Sequence, residues 1–150
     1  MLDVRQFLKA ILGLIKQGSR DLKVRELALT ITREAPDDRE KARRLFEWAK
    51  QKLVFARDPF KLEDIQTARR TLKLQAGDCD DFTVLMGSML ESIGIPAAVH
   101  LVRTRPAGEF NHIYPAAKTR AGELALDLAA PGAAFNHLKF RTFKEMRAER

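Results

Sequence analysis

Residues 77–96 read GDCDDFTVLMGSMLESIGIP, and this stretch decides the fold. Phe82, Leu85, Met86, Met89, Leu90 and Ile93 recur three or four positions apart, the spacing of one helix face. Asp78 or Asp80 supplies the side-chain acceptor that the orphan N–H groups of a helix start require, Gly94 stands where a left-handed C-terminal residue is wanted, and Pro96 follows. The only cysteine, Cys79, is thereby placed at the N-terminal end of a buried helix. Asp78, Asp80 and Asp81 crowd it. A helix N-terminus favours a thiolate and nearby carboxylates oppose one, so the state of this thiol depends on what else the fold brings to it.

Beyond Pro96 the period changes from helical to strand-like. Ala97 to Arg103 is rich in Val, Leu and Ala and ends at the turn signal Pro106-Ala107-Gly108. Further strands are expected from Glu109 to Ala116 and from Glu123 to Leu128, joined by the polar turn Lys118–Gly122. Such short turns make the strands antiparallel neighbours. Pro115 has no N–H for a ladder, which places the second strand at an edge or breaks it. The basic tail from Leu138 to Arg150 is expected to form a last helix.

On the N-terminal side, Val4, Phe7, Leu8, Ile11, Leu12 and Ile15 define an amphipathic helix. Its stripe suits a cover for the domain core, with docking to an assembly partner as the alternative use. Val24, Leu27, Ala28 and Ile31 mark a second helix ending before Pro36, and Asp37 with Glu40 opens a third that carries Ala42, Leu45, Phe46, Ala49 and Leu53, with Trp48 at its edge. Leu53, Val54 and Phe55 before Asp58-Pro59 read as an extended exit, and Lys61 to Gln75 as an irregular connection with room for a short helix. The class is α+β: helices first, a small antiparallel sheet after them.

Alternation puts Phe110, His112 and Tyr114 on one face of the second strand, and Ala125 and Asp127 opposite Leu124, Leu126 and Leu128 on the third. A hairpin closed between Lys118 and Ala121 sets His112 across from Asp127. If the start of the Cys79 helix packs on that face, a thiol, a base and a base-orienting carboxylate meet. His100 reads as a structural strand residue, and His137 lies in a loop-like region. The aspartate cluster lacks the mid-loop glycine and distal Glu of a calcium loop, the histidine spacing does not suit zinc, and no phosphate loop or cofactor fingerprint is present; no metal or cofactor is expected.

The 150 residues fit one domain, and 45% hydrophobic content is ordinary for a globular chain. The opening segment is interrupted by Arg5, Lys9 and Lys16, so it reads neither as a signal peptide nor as a membrane span, and a cytoplasmic setting is expected. One cysteine cannot form an internal disulfide, which fits a reducing compartment. Twenty-seven Lys and Arg against twenty Asp and Glu leave a net charge of +7, but the basic residues are spread over helices without interleaved aromatics, so nucleic acid is not an expected partner.

The GDCDDFTVLMGSMLESIGIPAAVHLV stretch, followed by FNHIY around His112 and LALDL around Asp127, resembles the core of the transglutaminase-like cysteine-enzyme superfamily, especially its compact bacterial and phage-associated members. The likeness runs from about Asp58 to Ala130, dividing the single domain into a helical lobe (1–57), a catalytic core (58–130) and a basic tail (131–150). It implies a papain-like α+β fold with Cys79 as nucleophile, His112 as general base and then acid, and Asp127 fixing the imidazole tautomer. The implied reaction is attack on a peptide or side-chain amide to give a thioester. Its oxyanion hole would use the Cys79 N–H and a second donor, for which Gln66 and Gln75 are candidates. The other function class is a noncatalytic structural or binding module on the same fold, for example in a phage assembly, using the Val4–Ile15 helix.

Overall fold

The computed structural model describes residues 3–57 and 65–150. Five helices precede or abut a small sheet: α1 (Val4–Ser19), α2 (Leu22–Ile31), α3 (Asp38–Lys52), α4 (Ala68–Leu74) and α5 (Cys79–Ser92). Strands β1 (Val54–Phe55) and β2 (Ala76–Gly77) form a short parallel pair. Strands β3 (Ala97–Arg103), β4 (His112–Thr119), β5 (Gly122–Ala125) and β6 (Lys144–Glu149) form an antiparallel sheet in the order β5-β4-β3-β6. Asp58-Pro59 and the first part of the expected connection after Lys61 lie outside the described residues.

The α5 helix is the centre of the molecule. Every residue from Asp81 to Leu90 is buried, so the apolar stripe of the sequence is only part of a helix enclosed on all sides. Asp78 caps it, accepting from the Asp80 and Asp81 N–H groups at 3.0 and 3.1 Å, and Gly94 takes φ +85° just past its end. The α1 helix lies against α5 with Leu8, Ile11 and Ile15 buried. Gly18 and Gly87 allow this approach: a Cβ on Gly18 would come within 2.1 Å of Ser88 Oγ, and one on Gly87 within 2.7 Å of Ile15 Cδ1. The α1 stripe therefore covers its own core, as the commoner use of such a stripe predicts. Asp37 caps α3 by accepting from Glu40 N–H, while the Glu40 carboxylate turns to Arg43 and Arg44. Trp48 is partly buried against the same core.

The sheet differs from expectation in four respects, each with a local cause. First, β4 begins and ends three residues later than expected, at His112 and Thr119. Second, β4 is an inner strand, so Pro115 sits within the sheet. Its carbonyl accepts from Leu126 N–H, which directs its missing N–H to the β5 side, where the ladder is already closing. Third, β5 is shorter than expected. It pairs Ala116 with Ala125 and Thr119 with Gly122, two residues out from the expected register. A slip of two keeps every side chain on its face and makes Asp127 a diagonal rather than direct neighbour of His112. Fourth, the C-terminal residues form β6, not a helix. Lys, Glu, Met, Arg and Ala all favour helix, but pairing with the open side of β3 and burial of Met146 and Ala148 on the core side override that preference.

Candidate active site

The early end of β5 builds the site. With the ladder closing at the Leu126–Pro115 bond, the first residues of β4 have no strand beside them on that side. The freed Ile113 N–H lies near Cys79 Sγ, carried there by the start of α5, and favours its thiolate. Asp127, just beyond β5, is 6% exposed and turns its carboxylate onto His112, with Nε2 to Oδ2 at 2.7 Å. Its other oxygen accepts from the Ala129 N–H at 3.2 Å, a local turn that fixes the carboxylate. Because Nε2 is committed to Asp127, Nδ1 is the imidazole nitrogen left for another partner. Cys79 and His112 line one cavity of about 410 Å³.

The half-buried thiol donates to Asp80 Oδ1 at 3.7 Å rather than to the imidazole. Burial, then the charge of Asp80, and further off Asp78 and Asp127, push its pKa up to about 12, against the favourable Ile113 N–H. The resting group is a neutral thiol. Asp80 is itself pushed up to about 6 by burial and by the charges of Asp78 and Asp81. Asp81 is used structurally: its carboxylate accepts from Gln66 N–H at 2.8 Å and Asp78 N–H at 3.1 Å, tying the preceding loop to the helix start. Gly77 is required beside it, since a Cβ there would lie 2.7 Å from Asp81 Cβ. The Asp78 cap engages the Asp80 and Asp81 N–H groups and not the N–H of Cys79.

Neither glutamine read as an oxyanion donor lines the cavity at the thiol. Gln66 Nε2 donates to Ala76 O at 3.1 Å and Thr71 Oγ1 at 3.3 Å, and the residue lines a separate, more polar cavity with Asp78 and Asp81. Gln75 is exposed at the left-handed C-cap of α4, φ +55°. His100 is held between Glu145 and Glu123 and stacks on Tyr114 at 4.9 Å, and His137 is exposed.

Two contributions to the site carry no local signal in the sequence. Phe140 stands edge-on to the His112 ring at 5.2 Å, and with Leu138 it covers the sheet face that holds Tyr114, Val102 and Ala125. Val4 and Phe7, from the far end of the chain, line the thiol cavity. Only the closure of the whole fold brings Phe140 to His112 and Val4 and Phe7 to the cavity at Cys79.

The profile of the transglutaminase-like superfamily matches residues 25–130 and so reaches back through α2 and α3. None of the curated proteins matches the chain by sequence. Among solved structures, the fold is similar to that of a candidate protease from Parabacteroides distasonis ATCC 8503 (TM-score 0.65, 16% identity, over 80% of this chain and 26% of that one). It is also similar to a candidate cysteine protease from Cytophaga hutchinsonii (TM-score 0.60, 18% identity, 71% and 36%) and to a TGase (TM-score 0.55, 12% identity, 95% and 37%). The chain thus spans little more than a third, at most, of the length of these neighbours. With a match covering more than half of its residues, an α+β fold shared with these structures and the cysteine at the start of the central helix, the chain belongs to the transglutaminase-like superfamily.

Proposed function

We propose that the protein is a thiol hydrolase acting on peptide or side-chain amides, with Cys79 as nucleophile, His112 as base and acid, and Asp127 as the group that orients His112. The observation that carries this reading is the Asp127–His112 bond at Nε2, which leaves Nδ1 for another partner, in a residue that lines the same cavity as Cys79. As Sγ attacks the carbonyl carbon, the thiol proton passes to Nδ1, the Sγ–C bond forms and the carbonyl electron pair moves to oxygen. Collapse of that adduct breaks the C–N bond, and the imidazolium returns its proton to the leaving amine. Water, deprotonated by the same nitrogen, then cleaves the thioester and restores the thiol. The Cys79 N–H, which the Asp78 cap does not use, is the oxyanion donor at the helix start.

A thiol held neutral at rest needs its base during the attack. The test is the pH dependence of iodoacetamide alkylation at Cys79, read by intact mass, in the wild type and in His112→Ala. The reading predicts a wild-type rate that exceeds that of the variant by about a hundredfold near neutrality, in the range general-base catalysis supplies. A rate insensitive to His112 would remove the basis for a hydrolase.

A further inference from the structure

The cavity at Cys79 differs chemically from its neighbour. Its apolar lining is Val4 and Phe7 of α1, Ile65, Leu101 of β3, Phe110 and Ile113; Asn111 and His112 add polar groups beside Cys79, and Asp80 is the carboxylate among the described lining. The cavity on the other side of the Gly77–Asp81 turn, about 640 Å³, is lined instead by Arg57, Arg70, Asp78 and Asp81 among others. A volume of about 410 Å³ is at the small end of ligand sites, which run from about 300 Å³ upward. It suits one large side chain with adjoining backbone better than an extended ligand.

Resting on the hydrolase reading, we infer that this cavity selects substrates carrying a bulky, uncharged apolar side chain, such as that of Leu or Phe, on the acyl part. The acyl part is bonded to Sγ from the first adduct until water cleaves the thioester, so a pocket bordered by that sulfur holds its side chain over that whole interval. An acidic side chain placed there would meet the Asp80 carboxylate, and a basic one would exchange its hydration for that single carboxylate among mostly apolar lining residues. Phe7 makes the N-terminal helix a specificity element as well as a core cover. The aromatic ring of Phe110 is also part of the lining and has the Lys144 ammonium 5.2 Å from its centroid.

The experiment uses acetyl-dipeptidyl chloromethyl ketones with Leu, Phe, Gly, Asp or Lys at either residue, alongside iodoacetamide. In each case Sγ bonds to the methylene carbon, the halide leaves (chloride from the ketones, iodide from iodoacetamide) and the thiol proton goes to His112. Rates at Cys79 are divided by the rates of the same reagents with glutathione. Leu and Phe reagents should react at least about tenfold faster than Gly, Asp or Lys reagents, since even one methylene in a fitted apolar pocket is worth about tenfold or more. Phe7→Ala should bring that ratio toward one. Equal rates across the panel, with iodoacetamide labelling still dependent on His112, would overturn the inference and leave the hydrolase reading standing. Labelling independent of His112 would overturn both.

Discussion

Replacing Asp80 by Asn removes one negative charge beside the thiol and keeps an oxygen to accept its S–H. At 3.7 Å from Sγ, a unit charge acts on a thiolate with about 1 kcal/mol in bulk water and about 4 kcal/mol at an effective dielectric near 20. The lower figure alone corresponds to about a fivefold larger thiolate fraction, and the half-buried site lies between the two limits. The gain should depend on pH, because the wild-type Asp80 ionises only near pH 6. Alkylation by iodoacetamide, followed by intact mass from pH 5 to 8, should show Asp80→Asn at least about fivefold faster at pH 8, with the two proteins converging at pH 5. A variant no faster than the wild type at pH 8, or a ratio constant across the range, would refute the assignment of Asp80 as the charge that keeps the thiol neutral.

The same substitution should stabilise the fold at high pH. A carboxyl raised from 3.8 to about 6 contributes stability that is fully present below about pH 4 and lost as pH rises through 6. Urea unfolding should therefore find Asp80→Asn more stable than wild type by about 1–3 kcal/mol at pH 8 and nearly equal to it at pH 4. Gly18→Ala should destabilise by about 1–3 kcal/mol or more, because its Cβ meets Ser88 and Ala68 at 2.1–2.8 Å; a denaturation midpoint equal to that of the wild type would mean α1 is not seated on α5 as described. Phe140→Ala should cost about 0.5–1.5 kcal/mol from the ring pair and slow alkylation at Cys79, while an unchanged rate would make Phe140 a packing residue only.

Local chemistry carries far in this sequence, and long-range closure marks where it stops. The α5 helix was legible because period, cap and terminator agree over Asp78 to Gly94, and β3 was legible because it is short, rich in Val, Leu and Ala, and stands between Pro96 and the Pro106-Ala107-Gly108 turn. The faces of β4 and β5 were legible for the same reason, since alternation survives a slip of two residues. The register was not, because the hairpin turn sits at Arg120-Ala121, one position along the chain from a closure between Lys118 and Ala121, and both closures leave a two-residue loop. The tail was misread because its composition favours helix, and only the open edge of β3 makes it a strand. At the site, residue types and chain order point to Cys79, His112 and Asp127, and the fold brings His112 and Asp127 into a bond. Gln66 and Gln75 are candidates as donors in the segment that precedes Cys79. Gln66 spends its amide on α4 and β2 instead, and the groups that do surround the thiol, Val4, Phe7 and Ile113 N–H, come from distant segments.

In the proposed reaction Cys79 forms an acyl-enzyme with the help of His112. To trap it, the protein is mixed with the p-nitrophenyl ester of N-acetyl-leucine, quenched in acid within the first turnover and weighed as the intact chain. The expected product is an acetyl-leucyl adduct on Cys79 that hydroxylamine removes, that is absent in Cys79→Ala and that forms about a hundredfold more slowly in His112→Ala. Nitrophenol release with no adduct on Cys79, or an adduct forming equally fast without His112, would contradict that reaction.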